Sequence, residues 1–287
     1  MRKIKKAVVA VAWSWTRLLP ATKSMPKEML PIVDKPIAQL VVEELVEAWI
    51  EDIIFVTRWD KKPLEDHFDH STALEDDLRK NNKIDLLNKV EKIAEMANFI
   101  YIRQKWPYGN GTPALSADSL IEDGEPFVFV WWDDLVKSKV SFTKQMIEDY
   151  EKNWNLMIWV QEVPKEEVSK YWIVKLRKWT NEIEDIIEKP SIMEAPSQLA
   201  DFWRMILDKD FIKILKKTAL WKWNELWIVD AIKQYVNAWW IFLAKEIEDW
   251  QWLTTWDPLN YLKTTIEYVL DRDDLKDDFI EYVKSRI

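Results

Sequence analysis

A chain of 287 residues with only three glycines has almost no places where a left-handed backbone is cheap. Glycine normally makes up about 7% of residues, roughly 20 in a chain of this length. This chain instead carries 20 tryptophans, and Gly and Trp together approach the usual glycine count. Many of the tryptophans fall between regular elements. Trp49 follows a helical stretch, where glycine usually supplies the left-handed C-cap. Trp179 sits in a turn between two strand-like runs, Trp239 and Trp240 precede a strand, and Trp221 and Trp223 precede a helix. A row of surface aromatics on a binding face would cluster rather than track turns. The pattern therefore reads as tryptophan written where the chain inserts glycine. A UGA codon read as Gly, as in some bacterial lineages, but translated as Trp would produce it, and UGG codons at Trp13, Trp15 and Trp256 would sink the idea. Trp227 and Trp252 read as genuine tryptophans, and of the adjacent Trp131 and Trp132 only the second reads as a glycine position.

Strand-like apolar runs alternate with amphipathic stretches, which predicts an α/β fold with a mostly parallel sheet and helices on both faces. Strands are expected at 5–12, 52–57, 99–104, 126–132, 156–163, 172–176, 184–188, 199–207 and 241–244. Helices are expected at 36–48, 76–96, 112–120, 141–152, 208–217 and 224–237. With no repeat and no evident linker, residues 1–287 read as a single domain with a charged helical tail from about 258. The basic-then-apolar start superficially resembles a signal peptide, but Ser14, Thr16 and Arg17 interrupt it, so it reads as the first strand. No apolar run approaches a membrane span. There is no cysteine, hence no disulfide or thiolate metal site, and cytoplasm is the default compartment. A net charge of −9 argues against a general nucleic-acid binder, though a local cluster of Arg and Lys can still hold an anionic ligand.

Four segments carry the chemistry. The first runs Ala12-Trp13-Ser14-Trp15-Thr16-Arg17, with Lys23, then Pro26-Lys27-Glu28-Met29-Leu30-Pro31 and Asp34-Lys35-Pro36. Glycine at 13 and 15 would let backbone N–H groups approach phosphate oxygens after the first strand. Arg17 offers a two-pronged fork and Lys27 a compact charge. The second, Arg103-Gln104 followed by Gly109-Asn110-Gly111, follows a strand and opens a helix. The third, Phe127 to Asp134, is an apolar strand ending in two carboxylates at the carboxyl edge of the sheet, where ligands bind in open α/β sheets. The fourth joins Tyr171-Trp172-Ile173-Val174 to Glu188-Lys189-Pro190.

With glycine at 13 and 15, the first segment closely resembles the signature of bacterial UTP–glucose-1-phosphate uridylyltransferases, and the resemblance continues through most of the chain. It implies a Rossmann-like sheet of the nucleotide-diphospho-sugar transferase type. It implies nucleotide contacts at Ala12, Trp13, Trp15, Thr16, Glu28, Gln104 and Gly109, with Arg17, Lys27 and Lys189 acting in catalysis. Sugar contacts fall to Asp134, Trp172, Glu188 and Lys189, and Mg²⁺ to Asp133 with Asp230 as a weaker second carboxylate. Asn110, Thr112 and Pro113 depart from the family's pattern around the base. The implied reaction joins UTP and glucose 1-phosphate into UDP-glucose and pyrophosphate, in a dimer or tetramer that binds neither nucleic acid nor membrane. A dTTP-using relative is the near alternative. An inactive binding relative follows if the tryptophans are real, and a tryptophan-rich carbohydrate-binding module would not need this constellation. His67 and His70 read as surface residues.

Overall fold

In the computed structural model, residues 2–13, 17–221, 224–246 and 250–286 are described. Strands in chain order are β1 (Lys6–Ala10), the short hairpin β2 (Pro31–Ile32) and β3 (Lys35–Pro36), β4 (Asp52–Thr57), β5 (Asn98–Arg103), β6 (Pro126–Trp131), β7 (Asp134–Ser138), β8 (Leu156–Glu162), β9 (Trp172–Leu176), β10 (Ile183–Glu188), β11 (Leu199–Asp208), β12 (Phe242–Glu246) and β13 (Trp250–Thr254). One nine-stranded sheet runs β10-β9-β11-β6-β1-β4-β5, with β8 and β12 branching from β11. β5, β4, β1 and β6 are parallel to one another, as β12 is to β8, while β11 runs antiparallel to both β6 and β8.

Alternation along the strands sorts side chains into two cores, because successive residues of a strand point to opposite faces. Phe127, Phe129 and Trp131 join one core with the helices Thr112–Ser116, Lys209–Leu215 and Ile228–Asn237. Val128, Val130 and Trp132 join the other with the helices Ile37–Glu47 and Phe142–Asn153. The fully buried parallel strands read as unbroken apolar runs for this reason.

The expected insertion at 76–96 is two helices, Thr72–Lys80 and Ile84–Ala94, because Asn81 and Asn82 interrupt it and Asn82 takes φ 54°. The tail likewise divides into Pro258–Leu270 and Lys276–Lys284. β7 and β13 form a separate antiparallel pair that the sequence did not announce.

Nine non-glycine residues among those described have positive φ, and five are tryptophans: Trp49 (67°), Trp154 (55°), Trp179 (65°), Trp203 (64°) and Trp239 (65°). Trp49 and Trp239 follow helix ends, Trp154 is the C-cap of Phe142–Asn153, and Trp179 is a fully exposed turn residue. Trp203 lies inside β11, next to a register shift against β8. Left-handed backbone costs an L-residue roughly 1–2 kcal/mol, and glycine nothing. Trp13, Trp132 and Trp172 are not among the positive-φ residues.

Candidate active site

The carboxyl ends of β1 and β6 lie side by side, since Ala10 pairs with Trp131. Ala12 and Trp13 continue β1 past that edge, and Asp133 and Asp134 continue β6. Trp15 and Thr16 lie outside the described residues. Arg17 is exposed, and its charge is felt by both Lys27 and Asp133. Lys23 is exposed in the helical turn Ala21–Lys23.

Lys27 enters from the turn Lys27–Met29, between the first strand and the helix Ile37–Glu47. Its ammonium lies 3.8 Å from an Asp133 carboxylate oxygen and 4.2 Å from the Trp132 ring centroid. Burial pulls the Lys27 ammonium down to about 7, although Asp133 and Glu28 both oppose the change. Burial likewise raises Asp133, against the pull of Lys27. Each group thus resists its own charge, and their mutual attraction offsets the cost of burial only in part. Asp134 is pushed well above the ordinary carboxylate range by burial and by the charge of Asp133. Its Oδ1 accepts from Trp252 Nε1 at 2.7 Å, while its buried Oδ2 has no hydrogen-bond partner. Trp252, missed as a site residue, comes from β13 and is placed by the β7–β13 pair. Arg204, fully buried, donates to the Asp134 carbonyl oxygen and pairs with Glu44 at 2.9 Å.

The segments at 172–174 and 188–190 lie together, as the expected strand pair. Arg204 pairs with Val130, so Ala200 lies past the end of β6, and Ala200 pairs with Ile173. β9 therefore begins just beyond the carboxyl edge. Glu188 is the register partner of Trp172 across β9 and β10. Lys189 follows with φ 40°, and its N–H donates to the Tyr171 carbonyl at 2.9 Å. A strained φ on a non-glycine residue persists only where surrounding contacts impose it, and such residues cluster at functional sites.

Gly109 has φ 133°, and a Cβ there would lie 2.1 Å from the Leu226 carbonyl oxygen. The close approach at this glycine is to the chain's own backbone: the Leu226 N–H donates to the Tyr108 carbonyl and the Gly111 N–H to the Leu226 carbonyl. Gln104, half-buried, follows β5 and donates its N–H to the Thr57 carbonyl oxygen. Asp230 is half-buried in the first turn of Ile228–Asn237, and burial raises its carboxyl. His67 is half-buried rather than superficial, 3.0 Å from Gln39 Oε1 and edge-on to Phe68. Exposed His70 sits 3.1 Å from Glu75.

Indole rings cross this edge in a continuous series. Trp13 contacts Trp131 (6.3 Å between centroids), Trp131 contacts Trp203 (5.8 Å), Trp203 contacts Trp172 (6.1 Å) and Trp172 contacts Trp227 (5.1 Å). The series links the end of β1 to β9.

Among the described residues no group of three or more His, Cys, Asp or Glu is set to hold a metal by itself. That is compatible with Mg²⁺, which is often held by one or two carboxylates together with substrate phosphates. The buried Asp133 carboxylate and the orphan Oδ2 of Asp134 are hard oxygen donors of that type. No described helix is long and apolar enough to cross a membrane.

Known proteins align along the whole chain. It is 42% identical to UTP–glucose-1-phosphate uridylyltransferase 2 of Staphylococcus saprophyticus, covering 99% of both chains. It is 37% identical to the UTP–glucose-1-phosphate uridylyltransferase of Bacillus subtilis, over 99% of this chain and 98% of that one. Its fold superposes on the UTP-bound UDP-glucose pyrophosphorylase of Acinetobacter baumannii with a TM-score of 0.89 at 34% identity, over 98% of each chain. The nucleotidyl transferase family matches residues 6–267, and the chain belongs to that family.

Proposed function

We propose that the protein transfers a uridylyl group from UTP to glucose 1-phosphate, giving UDP-glucose and pyrophosphate. The observation that carries this reading is the Lys27–Asp133 pair at the carboxyl edge of β1 and β6, in a chain whose full-length relatives bear that activity in their names. The phosphate oxygen of glucose 1-phosphate attacks the α-phosphorus in line and pyrophosphate leaves. The nucleophile is already ionised, so no covalent enzyme intermediate is required.

The chain's own residues position and neutralise. Arg17 and Lys27 balance the triphosphate and the leaving pyrophosphate. Lys27, held near neutrality by burial, regains its full charge when phosphate enters. Lys189 fixes the attacking phosphate, and Glu188 accepts from sugar hydroxyls beside position 172. Asp134 faces the sugar with its geometry set by Trp252. Gln104 and Gly109 border the base. Mg²⁺, held by Asp133 with Asp230 as a weaker second carboxylate, would supply a template and Lewis acid for the phosphates when bound.

Glycine is proposed in place of tryptophan at 13, 15, 132 and 172, and at 49, 154, 179, 203 and 239. Five of these have left-handed backbone, and Trp13, Trp172 and Trp203 belong to the ring series at the substrate edge. Cytoplasm is the proposed compartment. A dimer or tetramer is the proposed assembly, supported by the exposed stripe Leu259, Leu262 and Ile266 on one helix.

The test is a product assay on protein from its own cells, with UTP and dTTP offered in parallel. UDP-glucose and pyrophosphate formed preferentially from UTP support the reading. Preference for dTTP would move the chain to another nucleotidyltransferase, and no sugar nucleotide from either would leave an inactive binding relative.

A further inference from the structure

Asp201 lies in β11, is 1% exposed, and uses only half of its carboxyl group. Its Oδ1 accepts the Trp203 backbone N–H at 2.7 Å, a bond that any non-proline residue at 203 can make. Its Oδ2 is shielded from solvent and has no hydrogen-bond partner. Burial drives the carboxyl up, and the Trp203 N–H is what pulls it back. A buried polar atom without a partner is uncommon in native proteins and calls for an explanation.

The sheet sets Asp201 in a row with the segments at 172–174 and 188–190. β11 and β9 are antiparallel with Ala200 against Ile173, so Asp201 falls beside position 172. Position 172 in turn faces Glu188 across β9 and β10. Residues opposite each other share a face of a sheet, as do residues two apart on one strand. Asp201 is opposite Val160, and Val174 is opposite Ile186, and those three apolar side chains belong to the core against which Trp172 also packs. Asp201, position 172 and Glu188 therefore stand on one face of three neighbouring strands. Two strand spacings put the backbones of the two carboxylates about 10 Å apart. Between them stands Trp172, whose ring meets that of Trp203 at 6.1 Å. Glycine at both positions, as proposed above, leaves open space between the carboxylates. Asp134, also assigned to the sugar, feels the charge of Asp201.

We propose that Asp201 is a sugar-binding residue: with Glu188 it flanks position 172, and its Oδ2 hydrogen-bonds a hydroxyl of the hexose. A hydroxyl both donates and accepts, so it matches this carboxyl with or without its proton. The proposal deepens the uridylyltransferase reading and rests on the sugar site assigned there. It gives Asp201 the hydroxyl pattern of the sugar and leaves the phosphate to Lys189.

The experiment measures Kd for UDP-glucose and for UDP by calorimetry, and KM and kcat for glucose 1-phosphate, in the full chain carrying whichever residues peptide sequencing finds at 172 and 203. Asp201→Val keeps a branched side chain on the strand and removes both oxygens. It is expected to weaken UDP-glucose binding, and to raise the KM for glucose 1-phosphate, about three- to tenfold, the scale of one hydrogen bond. UDP affinity and kcat stay within about twofold. If Asp201→Val does not fold, Asp201→Ala serves instead with the same expected split. The 2-, 3- and 4-deoxyglucose analogues of UDP-glucose identify the hydroxyl: the analogue that lacks it binds parent and variant alike, and the others keep the difference. Unchanged UDP-glucose affinity in the folded variant, an equal loss for UDP, or a loss that persists with all three analogues overturns the proposal, while turnover of the parent chain keeps the function. Asp201-dependent binding of UDP-glucose to a parent chain that makes none overturns the function and keeps the proposal. A parent chain that does not bind UDP-glucose overturns both.

Discussion

Glu188 and Trp172 stand opposite each other as register partners on β10 and β9, and Lys189 follows immediately in left-handed backbone. The two segments that resemble a sugar-phosphate site are thus one surface. Lys189→Ala is expected to lower kcat about 10²- to 10³-fold, the scale for losing one charge-stabilising group. Arg17→Ala is expected to do the same from the triphosphate side. Both proteins should unfold at the parent temperature, and near-normal turnover in either would remove its assigned role.

Asp134 is oriented by one indole N–H. Trp252→Phe keeps the ring and deletes the 2.7 Å hydrogen bond. Because burial and Asp133 favour the protonated Asp134 carboxyl, the ordinary hydrogen-bond contribution of about 0.5–1.5 kcal/mol applies, and the KM for glucose 1-phosphate is expected to rise about two- to tenfold. The KM for UTP should move little. Steady-state kinetics with each substrate varied checks this split.

Buried Asp201 makes stability pH-sensitive. Its Oδ1 accepts from the Trp203 N–H at 2.7 Å, its Oδ2 has no partner, and burial raises its carboxyl from 3.8 to about 7. A raised acid binds its proton more tightly folded than unfolded. Its contribution is therefore fully present below pH 4 and is lost as pH rises towards 7. Between pH 4 and 8 the parent should lose on the order of 4 kcal/mol relative to Asp201→Asn. Denaturant unfolding of both proteins across that range measures the difference, and parallel pH curves would contradict it.

Lys27 predicts a proton signature for binding. Without ligand its ammonium sits at about 7, so it is mostly neutral at pH 8. A triphosphate beside it favours the charged form. UTP binding at pH 8 should therefore take up roughly half a proton or more, and binding at pH 6 much less. Calorimetry in buffers of different ionisation enthalpy reads this directly.

The left-handed tryptophans are a stability prediction. Trp179 is fully exposed with φ 65°, so its indole contributes no packing that offsets the strain. Trp179→Gly in the tryptophan-bearing chain is expected to stabilise by about 1 kcal/mol, raising Tm by about 2 °C. Gly109→Ala is expected to destabilise by several kcal/mol, because its Cβ would collide with the Leu226 backbone. Thermal unfolding checks both signs.

Much of this was legible in the chain itself. Unbroken apolar runs gave the parallel strands, and the carboxylates after Trp132 marked the sheet edge. Trp49, Trp179 and Trp239 betrayed their backbone because they follow helices or sit in a turn. Trp203 and Trp154 did not: the first lies inside a strand, and the second ends a helix whose polar last turn blurs its limit. Trp252 was invisible as a site residue because its partner, Asp134, comes from a distant segment. The β7–β13 pair was hidden for the same reason. Gly109 was read from the chain only as a nucleotide contact, and the fold shows Leu226 backbone as its close neighbour.

Mass spectrometry of the tryptic peptide spanning 7–17, from protein made by its own cells, tests the central claim most directly. Glycine at 13 and 15 is the predicted result, leaving a phosphate loop that backbone N–H groups can line. Tryptophan at both positions would contradict an active uridylyltransferase and leave indoles in that loop.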